Sequence, residues 1–160
     1  MLSFQEMFFS QHSNHIIYNG RVISRHLPIA VSGKVNLRFR ILGVSSPYTQ
    51  AIVIVFPSGF SGNVYLLGKR IPIRKSAFPK LNFWSDTAPS DFEVEISDFV
   101  GEILICNGSD PLATKQFCKH LSAGCAMIVD EFAQNKFRCV CNDHEEDDDF
   151  NDLIFEVEVV

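Results

Sequence analysis

Val35-Asn36-Leu37-Arg38-Phe39-Arg40-Ile41 alternates apolar and polar residues along its whole length. Successive side chains of a strand point to opposite faces, so this stretch predicts a strand with one buried and one solvated face. Further strands are expected on both sides of it. Ala51–Phe56 is a continuous apolar run stopped by Pro57-Ser58-Gly59. Asn63–Leu67 and Lys69–Ile73 read as a hairpin around Gly68. Phe92, Val94 and Ile96 alternate with Glu93, Glu95 and Ser97. Gly101–Cys106 is a further strand, ended by Asn107-Gly108-Ser109-Asp110-Pro111. Ala126–Glu131 and Lys136–Cys141 form a hairpin across Gln134-Asn135, and Leu153–Val159 closes the chain.

Two segments compete as helices: Leu2–Gln11, and Ala113–Leu121 starting near Asp110-Pro111. The remaining pattern of short strands at close spacing predicts an all-β domain. Its expected form is an antiparallel β-sandwich, jelly-roll or immunoglobulin-like, spanning 1–160 as one domain. Residues 1–12, with Leu2, Phe4, Met7, Phe8 and Phe9, read as a packed N-terminal extension. They are too apolar to float free and should pack on this chain or on a second copy.

Composition excludes several classes. At 160 residues with 46% hydrophobic residues, the chain can bury a full core and is not a disordered segment. Nineteen acids against fourteen bases give −5, which argues against nucleic-acid binding through a basic surface. The longest apolar run, Ala51–Phe56, falls far short of the ~20 residues a spanning helix needs. The N-terminus lacks the basic start of a secretory signal, so the encoded chain is expected in the cytoplasm, or at the surface if a leader was removed. Cys106, Cys118, Cys125, Cys139 and Cys141 are then expected as buried free thiols, with a Cys118–Cys125 disulfide reserved for an oxidising compartment.

The acidity is local. Residues 143–152, DHEEDDDFND, hold seven of the nineteen acids, and the rest of the chain carries twelve acids against fourteen bases. Crowded carboxylates raise one another's pKa, and a hard cation relieves that cost. Calcium takes six to eight oxygens from carboxylates, amide and backbone carbonyls and water. Asp147, Asp149 and Asn151 turn to one side if the loop is extended, and Asp152 closes the site where the last strand begins. Asp143 and Glu146 are further candidates, and Asn107 and Asp110 would add oxygens if their loop lies alongside. Magnesium, which keeps more water and fewer carboxylates, fits less well. The alternative is a solvated acidic loop that keeps a sheet edge from pairing with other chains.

The segment is not an EF-hand, since it has neither the glycine at the sixth loop position nor the flanking helices. Asp147-Asp148-Asp149-Phe150-Asn151-Asp152, running into Leu153-Ile154-Phe155, resembles the D-x-D-[FY]-N-D plus apolar strand of a family of bacterial exported β-sandwich domains of uncharacterised function, thought to bind calcium. That resemblance covers about ten residues. It implies Asp147, Asp149, Asn151 and Asp152 as ligands. The chain lacks the glycine-rich lead-in usual in that family and has Asn142-Asp143-His144-Glu145-Glu146 instead.

No catalytic set stands out. Cys118, His120, Cys125, Cys139, Cys141 and His144 are zinc-type ligands, but no C-x-x-C spacing joins them. There is no G-x-S-x-G, P-loop or G-x-G-x-x-G, and Pro57–Gly62 reads as a hairpin loop rather than a phosphate cradle. Phe78–Ser90 contains Trp84, the single tryptophan, and reads as a long crossing loop. Its aromatics either plug one end of the core or offer Trp84 as a stacking platform for a ligand. Two functions follow. One is a calcium-binding module recognising carbohydrate or protein. The other is a metal-free structural domain that oligomerises through edge strands or its apolar N-terminus.

Overall fold

Alternation decides the core of the structure. The computed structural model describes residues 2–76, 80–145 and 147–160. In chain order these form α1 (Phe4–Ser10), β1 (His15–Tyr18), β2 (Arg21–Ser24), β3 (Leu27–Val44), β4 (Gln50–Val55), β5 (Phe60–Leu66), β6 (Lys69–Ser76), β7 (Lys80–Trp84), β8 (Asp91–Ser109), β9 (Lys119–His120), β10 (Ala126–Ala133), β11 (Lys136–Asn142) and β12 (Leu153–Val159). The fold is all-β, with antiparallel pairing throughout and one short helix.

The predicted strand at 35–41 is the second half of the longer β3. It pairs along its length with β8, which joins into one strand the two segments read separately in the sequence. The neighbours change midway, at a register shift between Gly33 and Val35. Gly33 has φ 98°, a backbone region that side-chain-bearing residues avoid. Beyond the shift, β12 flanks β3 and β5 flanks β8; before it, β4 and then β7 extend the β8 side. Gly62 of β5 lies so close to β8 that a Cβ there would fall onto the Glu95 carbonyl.

Hydrogen bonds link the twelve strands into one sheet, with the order β1-β2-β10-β11-β12-β3-β8-β4-β7 along its main path. The sheet curls on itself. In a flat sheet β11 would stand about 14 Å from β8, three strand spacings away. Instead the Asn107 side chain on β8 donates to the Asn142 backbone carbonyl on β11 at 2.8 Å. Ile52 and Ile54 of β4 share one core with Met127, Cys139, Cys141, Leu153 and Phe155 from β10 to β12.

A second apolar cluster lies on the other face. Phe4 and Phe8 of α1 pack with Ile16, Ile23, Ala126 and Phe150. A capping box starts the helix: the Glu6 amide donates to Ser3 Oγ at 3.2 Å and the Ser3 amide to Glu6 Oε2 at 2.6 Å. Buried Gln5 ties it down, donating through Nε2 to the Cys125 carbonyl at 2.6 Å.

Three further expectations differ from the structure. Ala113–Leu121 is not a helix. Asp110 accepts from the Leu112 and Lys115 amides, at 3.2 and 2.9 Å, and Ala113 and Lys115 take left-handed φ values that end any helical run. The crossing segment is partly a strand, because Leu81 and Phe83 alternate into the core while β7 pairs with β4; Phe78 and Pro79 lie outside the described residues. The loop at Pro57 is shorter than read, since Phe60, Ser61 and Gly62 already belong to β5.

Candidate metal site

The loop joining β11 to β12 carries the acidic run. Its shape is set by what is buried. Phe150 is 3% exposed, packs with its ring tilted against that of Phe4 at 5.6 Å, and lies under the Arg21 guanidinium at 5.3 Å. Two residues earlier, Asp148 accepts a 2.7 Å hydrogen bond from the Tyr18 hydroxyl. Both anchors have left-handed backbone, φ 59° at Asp148 and 51° at Phe150. The expected alternation of sides is present, but left-handed residues produce it, not an extended loop.

With 148 and 150 turned to the protein, Asp147, Asp149 and Asn151 are exposed. Carboxylate oxygens of Asp147, Asp149 and Asp152 lie within 4.8 Å of one another. Calcium–oxygen bonds of 2.3–2.6 Å place opposite ligands about 5 Å apart, so this spacing fits one shared ion. The Asn151 amide donates to Asp149 Oδ1 at 3.4 Å. Among the described residues, no lysine or arginine forms an ion pair with any of the three carboxylates.

Asp152 is the buried member, 2% exposed. Its Oδ2 accepts from the Asp143 amide at 2.9 Å, which alone would favour the charged form. Burial outweighs that bond and, together with the charges of Asp143, Asp147 and Asp149, pushes the carboxyl up to about 7. Burial, and then the charge of Asp149, also raises Asp147.

Among the described residues, the other candidate carboxylates do not join this trio. Asp143 is buried, and its carboxylate accepts from Ser46 Oγ at 2.6 Å, the Glu145 amide at 2.8 Å and Gln50 Nε2 at 3.4 Å. Asp110 is occupied in capping its own turn. Asn107 is buried and donates to the Asn142 carbonyl at 2.8 Å. Glu146 lies outside the described residues. Trp84 is half-buried on β7 and packs against the cluster of Ala51, Val53, Cys106 and Cys118.

Behind the loop lies a polar network that sequence reasoning missed. Ser109 Oγ is 2.6 Å from His144 Nδ1, His144 Nε2 is 3.7 Å from Glu145 Oε1, and Tyr48 covers the imidazole at 4.5 Å. The residue types resemble a nucleophile–base–acid chain, yet Ser109 is fully buried and the hydroxyl meets no solvent. No motif signals the network, because it joins the end of β8 to loops distant in sequence. The five cysteines are buried and unpaired, and burial pushes Cys118 up to about 11 and Cys125 and Cys139 up to about 12.

Set against known proteins, the chain matches no family model, no curated protein and no solved structure.

Proposed function

We propose that the chain is a calcium-binding β-sandwich module that serves recognition rather than catalysis. Asp147, Asp149 and Asp152 are its carboxylate ligands, and Asn151 and water complete the shell. The observation that carries this reading is the convergence of the three carboxylates, with no lysine or arginine ion-paired to them among the described residues. A divalent ion offsets their repulsion and the burial of Asp152. The two halves of the curled sheet are the layers of the sandwich, packed through one face, which the core shared by β4 and β10–β12 supports. The ion orders the loop that leads into β12. The D-x-D-F-N-D resemblance points the same way. Fully buried Ser109 and the raised thiols argue against a nucleophilic enzyme.

Calorimetric titration of calcium into chelator-treated protein tests it. One site is expected in the wild type and none in Asp149→Ala/Asp152→Ala. Heat of binding that survives in the double variant would refute the assignment.

A second reading has its own observation. Ile17 and Val22 face each other across β1 and β2 and are 78% and 56% exposed at one end of the strand order. An oligomer closed through that edge would bury them. Sedimentation of the wild type against Ile17→Lys decides it: the reading requires an assembly that the substitution dissociates.

A further inference from the structure

The outer face of the sheet forms a groove of about 720 Å³ at the far end of β12 from the acidic loop. Asp152 and Glu158 are separated by about 20 Å of strand. Pockets of roughly 300–1,000 Å³ are the size that holds small ligands. The groove has a floor and two walls.

Register builds the floor. One row across the sheet runs Glu93, Arg38, Glu158, Lys136; the next runs Asp91, Arg40, Glu156, Arg138. Charges alternate along both rows, and neighbours pair: Arg40–Asp91 at 2.8 Å, Arg138–Glu156 at 3.1 Å, Lys136–Glu158 at 3.4 Å and Arg38–Glu158 at 3.6 Å. Arg138 stands just outside the groove, so the charged residues that line it are four carboxylates against three cations, most of them paired with a neighbour.

The walls are apolar. Tyr65 and Leu67 stand on the β5–β6 side and Phe132 on the β10–β11 side. Phe132 sits at a register shift and is fixed by the Arg138 guanidinium 5.1 Å above its ring. Leu67 is 84% exposed and has φ 50°. With Gly68 at φ 75° it makes the two-residue turn of the β5–β6 hairpin, which needs positive φ at both positions.

We propose that this groove binds a neutral oligosaccharide. Vicinal hydroxyls donate and accept at once, and so match carboxylate and guanidinium edges in alternation. The C–H faces of sugar rings suit the flanking rings of Tyr65 and Phe132. Other ligands fit worse. A nucleic acid or phosphorylated ligand finds no net positive charge on the floor. An added peptide strand finds no free backbone, since β3, β8 and β12 are each paired on both sides. The assignment goes beyond the calcium reading and does not rest on it.

The test is calorimetric titration with neutral gluco-, manno- and xylo-oligosaccharides of four to six units, in calcium and again in chelator. At least one should bind under both conditions. Tyr65→Ala and Phe132→Ala should each weaken it about tenfold or more, with melting unchanged. In the wild type, bound sugar should shift the backbone amides of Arg38, Tyr65 and Phe132. Failure of every neutral oligosaccharide, binding only of charged polymers, or shifts confined to another face would each overturn the proposal. Loss of the calcium response with sugar binding intact would sink the metal reading alone.

Discussion

The Tyr18 hydroxyl donates to Asp148 Oδ2 at 2.7 Å, a bond between residues 130 positions apart. It fastens the acidic loop to β1 without using any of the three converging carboxylates. Tyr18→Phe should therefore cost about 1 kcal/mol of stability and weaken calcium binding while leaving the ligand set whole. Paired denaturant melts and calcium titrations of this variant check both effects. An unchanged affinity would mean that the loop holds its shape without the tyrosine.

Phe150 is the second anchor, and it is buried against Phe4 of α1. Truncating a core phenylalanine typically costs about 3–5 kcal/mol. Phe150→Ala should fall in that range, and combining it with Phe4→Ala should cost less than the sum, because the two share one contact. A double-mutant cycle in urea measures the coupling. Strict additivity would show that α1 does not support the loop.

Asp152 sets a pH dependence whose sign is opposite to that of an ordinary paired carboxylate. Burial, helped by Asp143, Asp147 and Asp149, lifts its pKa from 3.8 to about 7 in the fold. Between those values the native state holds a proton that the unfolded chain has released. Stability without metal should fall as pH rises from about 4 to about 7. Calcium competes with that proton, so its affinity should rise over the same interval. Melts at several pH values, in chelator and in calcium, check both slopes. Asp152→Asn should flatten the first and abolish calcium binding.

Burial also predicts slow cysteine chemistry. All five thiols are shielded, and desolvation disfavours the reactive thiolate. Native protein should react with a thiol reagent only slowly, and all five should titrate quickly in denaturant. Rapid reaction of even one in the native state would contradict the buried arrangement.

What the sequence reveals depends on which physical signal a segment carries. Val35–Ile41 was legible because a half-buried strand writes its burial as alternation. β1 and β2 were not. Ile16 and Ile17 are adjacent, one buried and the other 78% exposed, so apolar character there does not track burial. β7 was hidden by its tryptophan and by the neighbouring prolines, although it alternates Leu81 and Phe83 inward. Ala113–Leu121 looked helical because local propensity cannot register Asp110 drawing two downstream amides into a turn. At the acidic loop, the density of acids marked the segment, and Asp147, Asp149 and Asp152 stood among a longer set of candidates that included Asn151, Asp143, Asn107 and Asp110. The left-handed turns that gather the three carboxylates depend on Tyr18 and Phe4, which lie more than a hundred residues upstream. Asn107 and Asp110 could not be placed without strand order.

The most direct test of the account is the thermal melt of the untreated chain in calcium and in excess chelator. Binding to the native state alone adds about 2.7 kcal/mol at a hundredfold excess over the dissociation constant. For a domain of this size that is a rise of roughly 5–10 °C. The account predicts that rise for the wild type and its loss in Asp149→Ala/Asp152→Ala. Identical melting in calcium and chelator, with no calcium found by elemental analysis, would contradict it and leave the acidic run as a solvated loop.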